Sequence, residues 1–208
     1  MKVAIITDDA LKEEWICQGM QEAVQAEWLS EPIAVEGADC YIDLLFQPDT
    51  ERINKLKRLQ PAIIIVDSVI ATLDMLPENF IRINGWPGFL ERTVVESSCS
   101  NDDLKTRAEK IISSFNKTIE WVPDVPGFIT ARVISTIINE AYFTLDEKVS
   151  SKKEIDIAMK LGTNYPYGPF EWSEKIGLKK VYELLSTLSK SNSRYEPAAL
   201  LKKEALLS

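Results

Sequence analysis

The chain has 208 residues, of which 45% are hydrophobic and 27% charged, with a formal net charge of −8 and no histidine. Such totals suit one domain or two modest ones with a real core, and they argue against nucleic acid or an anionic membrane as the main partner. The missing histidine excludes Ser-His and Cys-His nucleophile pairs and His-ligated zinc, so acid–base chemistry near neutral pH falls to carboxylates, Lys, Tyr or Cys.

Lys2 to Thr7, KVAIIT, is a short apolar run with β-branched residues and predicts a buried strand. Leu11, Trp15, Met20 and Val24 recur at helical spacing, predicting a helix over 11–24. AEWLS suggests a second strand and ADCYIDLLF, Ala38 to Phe46, a third. In DTERINKLKRL, Ile53, Leu56 and Leu59 mark a helix, with the Lys and Arg of ERINKLKRL expected on its solvent face. AIIIV, Ala62 to Val66, is a strongly buried strand. The order β-α-β-β-α-β points to a mostly parallel sheet covered by helices.

Pro77 to Ser97 then reads as a strand, a Pro/Gly break and a second strand ending on Glu96. NDDLKTRAEKIISSF follows as a helix, with Asn101 or Ser100 as its cap and two aspartates at its positive end. TIEWV is a further strand. Pro123 to Gly127, PDVPG, is the clearest break in the chain. Everything beyond it predicts helix: FITARVISTIINEAYFTLDEKV with a wide apolar face, and SKKEIDIAMKLG with a Ser151/Glu154 capping box and Gly162 at the expected C-terminal cap. NYPYGPFEW is a connector, and GLKKVYELLSTLSK and PAALLKKEAL are two more amphipathic helices. The expected division is an α/β domain over 1–123 and a helical domain over 124–208.

No run of about 18 apolar residues exists to span a bilayer. The opening MKVAIITDDALKEEW lacks the apolar core and cleavage site of a signal peptide. Cys17, Cys40 and Cys99 are odd in number and widely spaced, which fits neither a disulfide framework nor a zinc cluster. A cytoplasmic location is expected.

The segments DVPGFITARV, NEAYFTL, EIDIAMKLGTNYPYGPFEW, IGL and RYEPAALLKK, in that order, resemble the C-terminal domain of the L-3-hydroxyacyl-CoA dehydrogenases, including the 3-hydroxybutyryl-CoA dehydrogenases. More faintly, GADCYIDLLFQPDTERINKLKRLQPAIIIVDS is similar to the family's late Rossmann strands and helix. PENFIRINGWPGFLERTVVE aligns without a gap to its P-E-R-F-x-G-x-H-F-F-N-P stretch and following glutamate. The resemblance implies a shortened Rossmann-like α/β domain followed by an all-α domain of the 6-phosphogluconate-dehydrogenase C-terminal type. It also implies NAD-dependent chemistry at the 3-position of an acyl-CoA, with a histidine as acid–base and a glutamate orienting it, and dimers formed by the helical domain.

Several positions depart from that pattern. Glu96 matches the glutamate, but Asn84 stands where the histidine belongs, and an amide does not titrate. Losing the proton-transfer agent typically costs about 10²–10⁴-fold. The N-T-S-S stretch is Asp67, Ser68, Val69 and Ile70, and the asparagine of P-G-F-I-x-N-R is Ala131, though Arg132 remains. Instead of G-x-G-x-x-G after the first strand there is Thr7-Asp8-Asp9-Ala10-Leu11-Lys12, whose carboxylates and side-chain bulk work against a pyrophosphate. The family's extra strand–helix pair, strand and helical excursion after the first helix are missing.

Glu96 and Asn84 are therefore vestigial catalytic candidates, and Ser68 and Arg132 candidates for substrate contact. Asn84-Gly85 also suits a turn, and Asp8 and Asp9 suit a helix cap better than a metal. Cys99 is expected to be an inert thiol, and Trp86, Phe89, Tyr165, Tyr167, Phe170 and Trp172 to pack rather than line an acyl pocket. Lys and Arg of ERINKLKRL could still meet a CoA phosphate. Three functions follow: a degenerate family member with little or no dehydrogenase activity, no likely cofactor (NAD by resemblance only) and no metal; an active oxidoreductase of fatty acid metabolism using Glu96 or water; or a non-enzymatic acyl-CoA-binding or regulatory subunit. A homodimer through the helical domain is expected, without nucleic acid or membrane.

Overall fold

The structure, a computed structural model, describes residues 1–207. Two compact units divide the chain, one from Met1 to Phe128 and the other from Ile129 onward.

The first unit is built on a sheet of seven strands: β1 (Lys2–Ile6), β2 (Gln25–Leu29), β3 (Cys40–Asp43), β4 (Ile63–Asp67), β5 (Phe80–Ile83), β6 (Val94–Ser98) and β7 (Thr118–Trp121). Their spatial order is β2-β1-β3-β4-β5-β6-β7. Every pairing is parallel except β5 with β6. β1 is an interior strand, one in from the β2 edge, and both faces of KVAII are buried: Val3, Ala4, Ile5 and Ile6 are fully enclosed. Helices α1 (Asp9–Ile16), α2 (Thr50–Lys57) and α3 (Asp102–Ser113) do the covering. The strand alternation sends Val3, Ile5, Ile42, Ile65 and Ile83 toward Leu11 and Trp15 of α1 and Ile111 of α3. Ala4, Ile6, Tyr41, Ile64 and Val66 face Leu56 of α2.

The α1 helix stops at Ile16, well short of the expected Val24. Gly19 adopts φ 83°, and its N–H bonds back to the Ile16 carbonyl at 2.7 Å, a left-handed close that ends the helix. Met20 is accordingly exposed, whereas Val24 is buried from the irregular segment leading to β2. Only β2 lies between α1 and β3, so the sheet ends there with β2 as its edge.

The second unit contains α4 (Thr130–Asp146), α5 (Lys152–Thr163), α6 (Pro169–Ile176), α7 (Leu178–Ser189) and α8 (Ala199–Ala205). The α4 helix packs on α6, α7 and α8. Its Asn139 ties down the chain entering α8, donating to Glu196 O at 2.9 Å and accepting from Ala198 N at 2.8 Å. The capping box of Ser151 and Glu154 starts α5 as the sequence predicts. Gly162 is not its cap: it lies inside the last turn, and Asn164, at φ 55°, takes the left-handed position. Asn tolerates that conformation better than most residues, so it can replace glycine there.

Candidate functional site

The predicted pair lies where β5 runs out beside antiparallel β6. The Asn84 N–H donates to the Glu96 carbonyl at 3.0 Å, which carries the ladder one residue past β5. The expected Asn-Gly turn is thus not a turn at Asn84; the chain reverses further on, around Pro87–Glu91. Continuing the ladder aims the Asn84 side chain at Glu96, and its Nδ2 donates to Glu96 Oε2 at 2.9 Å. Both residues are buried, at 4% and 9% exposure. A carboxylate accepting from an amide is a charge-assisted bond that stabilises, but the amide neither releases nor takes a proton. As a pair, Asn84 and Glu96 can orient and hydrogen-bond; they cannot relay a proton through the position of Asn84.

Beside them, Asp67 ends β4 and accepts from the Gly85 N–H at 2.9 Å. A Cβ at Gly85 would fall 2.7 Å from Asp67 Cγ, so the close approach requires glycine. Ser68 is buried, and its hydroxyl donates to the Ala71 carbonyl at 2.8 Å, closing the turn after β4. Val69 is buried in the same turn. Arg132 belongs to the second unit, on α4, where its guanidinium lies 5.7 Å from the Tyr195 ring. Ala131 next to it is fully buried.

The turn from β1 to α1 has the chemistry of a self-capped helix. Asp8 is the N-cap, its Oδ1 accepting from Leu11 N at 2.8 Å, and Asp9 adds a second acid in the first turn. The donor that would meet a phosphate is already taken by a carboxylate, and another carboxylate stands beside it. That set of residues does not fit the pyrophosphate of a dinucleotide, which needs bare N–H groups and glycine. Among the described residues no group of three or more acids and cysteines is placed to hold a metal ion.

One sequence expectation is corrected along the same sheet edge. Arg52 of α2 does not face solvent but forks onto Asp43 at the end of β3, with both bonds at 2.7 Å. Asp43 is fully buried. Burial raises its carboxyl above the ordinary value, and the Arg52 fork opposes that rise. Cys99 is half-buried, and burial raises its thiol, in keeping with an inert role. The aromatic residues are dispersed: Trp86 and Phe89 are buried in the first unit, Phe170 and Trp172 in the second, and Tyr165 is exposed. Tyr167 meets Trp172 edge to face at 4.9 Å.

The second unit contains an apolar groove of about 450 Å³ between α4 and α5, lined by Ile137, Ala141, Ile155, Ala158 and Met159 among others. None of its lining residues is a predicted site residue. Val133 and Leu161 continue the apolar character of these helices and are 48% and 83% exposed.

Comparison with known proteins decides the ancestry of this arrangement. Residues 127–206 match the 3-hydroxyacyl-CoA dehydrogenase, C-terminal domain. A 3-hydroxybutyryl-CoA dehydrogenase of Bradyrhizobium diazoefficiens is 30% identical over 220 aligned positions, spanning 95% of this chain and 72% of that protein. The chain belongs to the 3-hydroxyacyl-CoA dehydrogenase family. Another relative, the 3-hydroxyadipyl-CoA dehydrogenase of Escherichia coli, is 36% identical over 55% of this chain, which spans only 25% of that longer protein. Among solved structures, (S)-3-hydroxybutyryl-CoA dehydrogenase from Ralstonia eutropha superposes with a TM-score of 0.74 at 19% identity, covering 97% of this chain and 92% of the other. FadB2 of M. tuberculosis gives 0.79 at 12%, covering 99% and 93%. At those identities the likeness is one of fold.

Asn84, which the resemblance sets where the family has its histidine, holds Glu96 through its side-chain bond. Arg82 stands at the glycine of P-E-R-F-x-G-x-H-F-F-N-P. A basic residue in a strand is usually at the surface, and only the placement of its partners shows that this one is fully buried.

Proposed function

We propose that this chain is a divergent 3-hydroxyacyl-CoA dehydrogenase-like protein with little or no NAD-dependent dehydrogenase activity. The bond from Asn84 Nδ2 to Glu96 Oε2 supports this best, because it fills the acid–base position with a group that does not titrate near neutral pH. The Asp8 cap at the turn after β1 supports it independently, since the anion-binding end of α1 is occupied by the chain's own carboxylate. The decisive experiment is a melt with millimolar NADH and, separately, acetoacetyl-CoA, followed by an NADH-oxidation assay. Ligands that bind only the folded state must raise its melting temperature. No shift with NADH and no turnover above a protein-free blank are expected. Turnover that Glu96→Gln abolishes would replace this proposal with an active enzyme.

A second reading concerns assembly, and the apolar groove favours it. The exposed Val133 and Leu161 and the groove lined by Ile137 and Ala158 suit a second copy of the helical unit, forming a homodimer. Sedimentation of the full chain is expected to give a dimer, and Val133→Glu with Leu161→Glu a folded monomer. A monomeric parent would remove this reading. The proposal also places the protein in the cytoplasm near fatty acid metabolism; three free thiols among the described residues suit a reducing compartment. No helix among the described residues is long and apolar enough to cross a membrane.

A further inference from the structure

Arg82 is fully buried in β5, at the centre of an unusual set of acceptors. Its Nε donates to Ser68 O at 2.9 Å and its Nη2 to Val69 O at 2.9 Å, so one edge of the guanidinium holds the turn after β4. Its Nη1 donates to Asp124 Oδ1 at 2.5 Å, and both Nη atoms reach Val125 O at 3.3 Å. The Phe128 ring covers the guanidinium at 4.3 Å. Burial lowers the affinity of Arg82 for its proton, opposed by Asp124, yet an arginine stays charged in any protein. An ion so enclosed persists only if its donors are matched, and here the planar fork matches two separate segments at once.

The two segments are also joined directly. Gly127 N donates to Val69 O at 2.7 Å, and Leu73 N donates to Asp124 Oδ2 at 2.9 Å. We infer that Arg82 is a positioning residue that ties Asp124–Phe128, the end of the first unit, to the Ser68–Val69 turn, so that these two pieces of irregular chain move as one body. Lysine cannot replace it, because a point charge cannot face four acceptors in a plane. The inference is independent of whether the chain turns over any substrate. A glycine at this position, as in the family stretch, would leave these carbonyls and Asp124 to find other partners.

Amide hydrogen exchange on the full chain tests it. In Arg82→Met the Gly127 and Leu73 amides are expected to exchange about tenfold faster or more, the size of a lost charged hydrogen bond. Ile5 and Ile42, buried on the interior strands β1 and β3, keep their rates. Chymotrypsin should then cut after Phe128, a site buried in the parent. Arg82→Lys is expected to restore Leu73 more than Gly127, since a single ammonium keeps Asp124 and loses the carbonyl edge. Uniform acceleration of all amides, or none, would overturn the inference. If Arg82→Met does not fold, Asp124→Asn decides: faster exchange confined to Leu73 and Gly127 supports the tie, and unchanged rates there remove it.

Discussion

Asn84 and Glu96 are joined twice, by main chain at 3.0 Å and by side chain at 2.9 Å, across the one antiparallel junction of the sheet. The main-chain bond fixes the direction in which the side chain leaves β5, and the side-chain bond then falls on a carboxylate inside the protein. The partner of the buried Glu96 gives it a structural role. Glu96→Ala is expected to destabilise the first unit by about 1.5–3 kcal/mol, the usual worth of a hydrogen bond to a charged group. For a chain of this size that is a fall of roughly 2–4 °C in Tm per kcal/mol. A thermal melt reads it, and an unchanged Tm would mean the pair contributes nothing to the fold.

Placing an imidazole at residue 84 separates the two changes proposed to silence the site. Asn84→His creates the only histidine in the chain, so a single C2–H resonance in proton NMR would follow its titration beside Glu96. No acetoacetyl-CoA-dependent NADH oxidation is expected in this variant, because Asp8 still caps α1 and Asp9 still flanks it. Turnover regained by this one change would show that the turn after β1 holds the cofactor despite its carboxylates. The fault would then lie in Asn84 alone.

Gly85 and Asp67 behave as a matched couple. The carboxylate of Asp67 lies where any side chain at residue 85 would begin, and it holds the Gly85 N–H. Gly85→Ala is expected to cost about 1–3 kcal/mol, the range for forcing extra atoms into a packed site. Urea unfolding followed by tryptophan fluorescence measures it. A neutral outcome would mean that the turn after β5 shifts freely, and with it the aim of Asn84.

Much of this was legible from residue order because the strands are short, apolar and β-branched: KVAIIT and AIIIV declare themselves buried, and Asn101, Ser151 and Asp8 cap the helices their neighbours predict. The failures have local causes. Met20 and Val24 fit a helical period that Gly19 cuts, and Asn164 takes a left-handed position that Gly162 also suited. At the site, spacing pointed to Glu96 and Asn84 but not to their bond, which depends on β6 pairing antiparallel to β5 in one register. Arg82 and Arg52 escaped because a basic residue in a strand or on a short helix is usually a surface residue; only the three-dimensional placement of Asp124 and Asp43 turns them inward.

The acid limb of the stability profile should trace to caps in the helical unit. The Ser151 hydroxyl and N–H hold the Glu154 carboxyl below its ordinary value, and the Lys160 ammonium with the Gly168 N–H does the same for Glu171. A carboxyl depressed in the folded state contributes stability that is fully present above its unfolded value and is lost as pH falls through the folded one. Asp156 opposes them: burial raises its carboxyl, so its penalty at neutral pH is relieved on acidification. Both glutamates are largely solvated, so each effect is small and screened by salt. The Glu154→Gln, Glu171→Gln double variant is expected to melt lower than the parent near neutral pH and to converge on it as pH falls below the ordinary glutamate range. Melts across that window at low salt read the difference. Parallel curves would show that these caps carry no charge-dependent stability, and Asp43 could not supply the loss in their place, because burial raises its carboxyl.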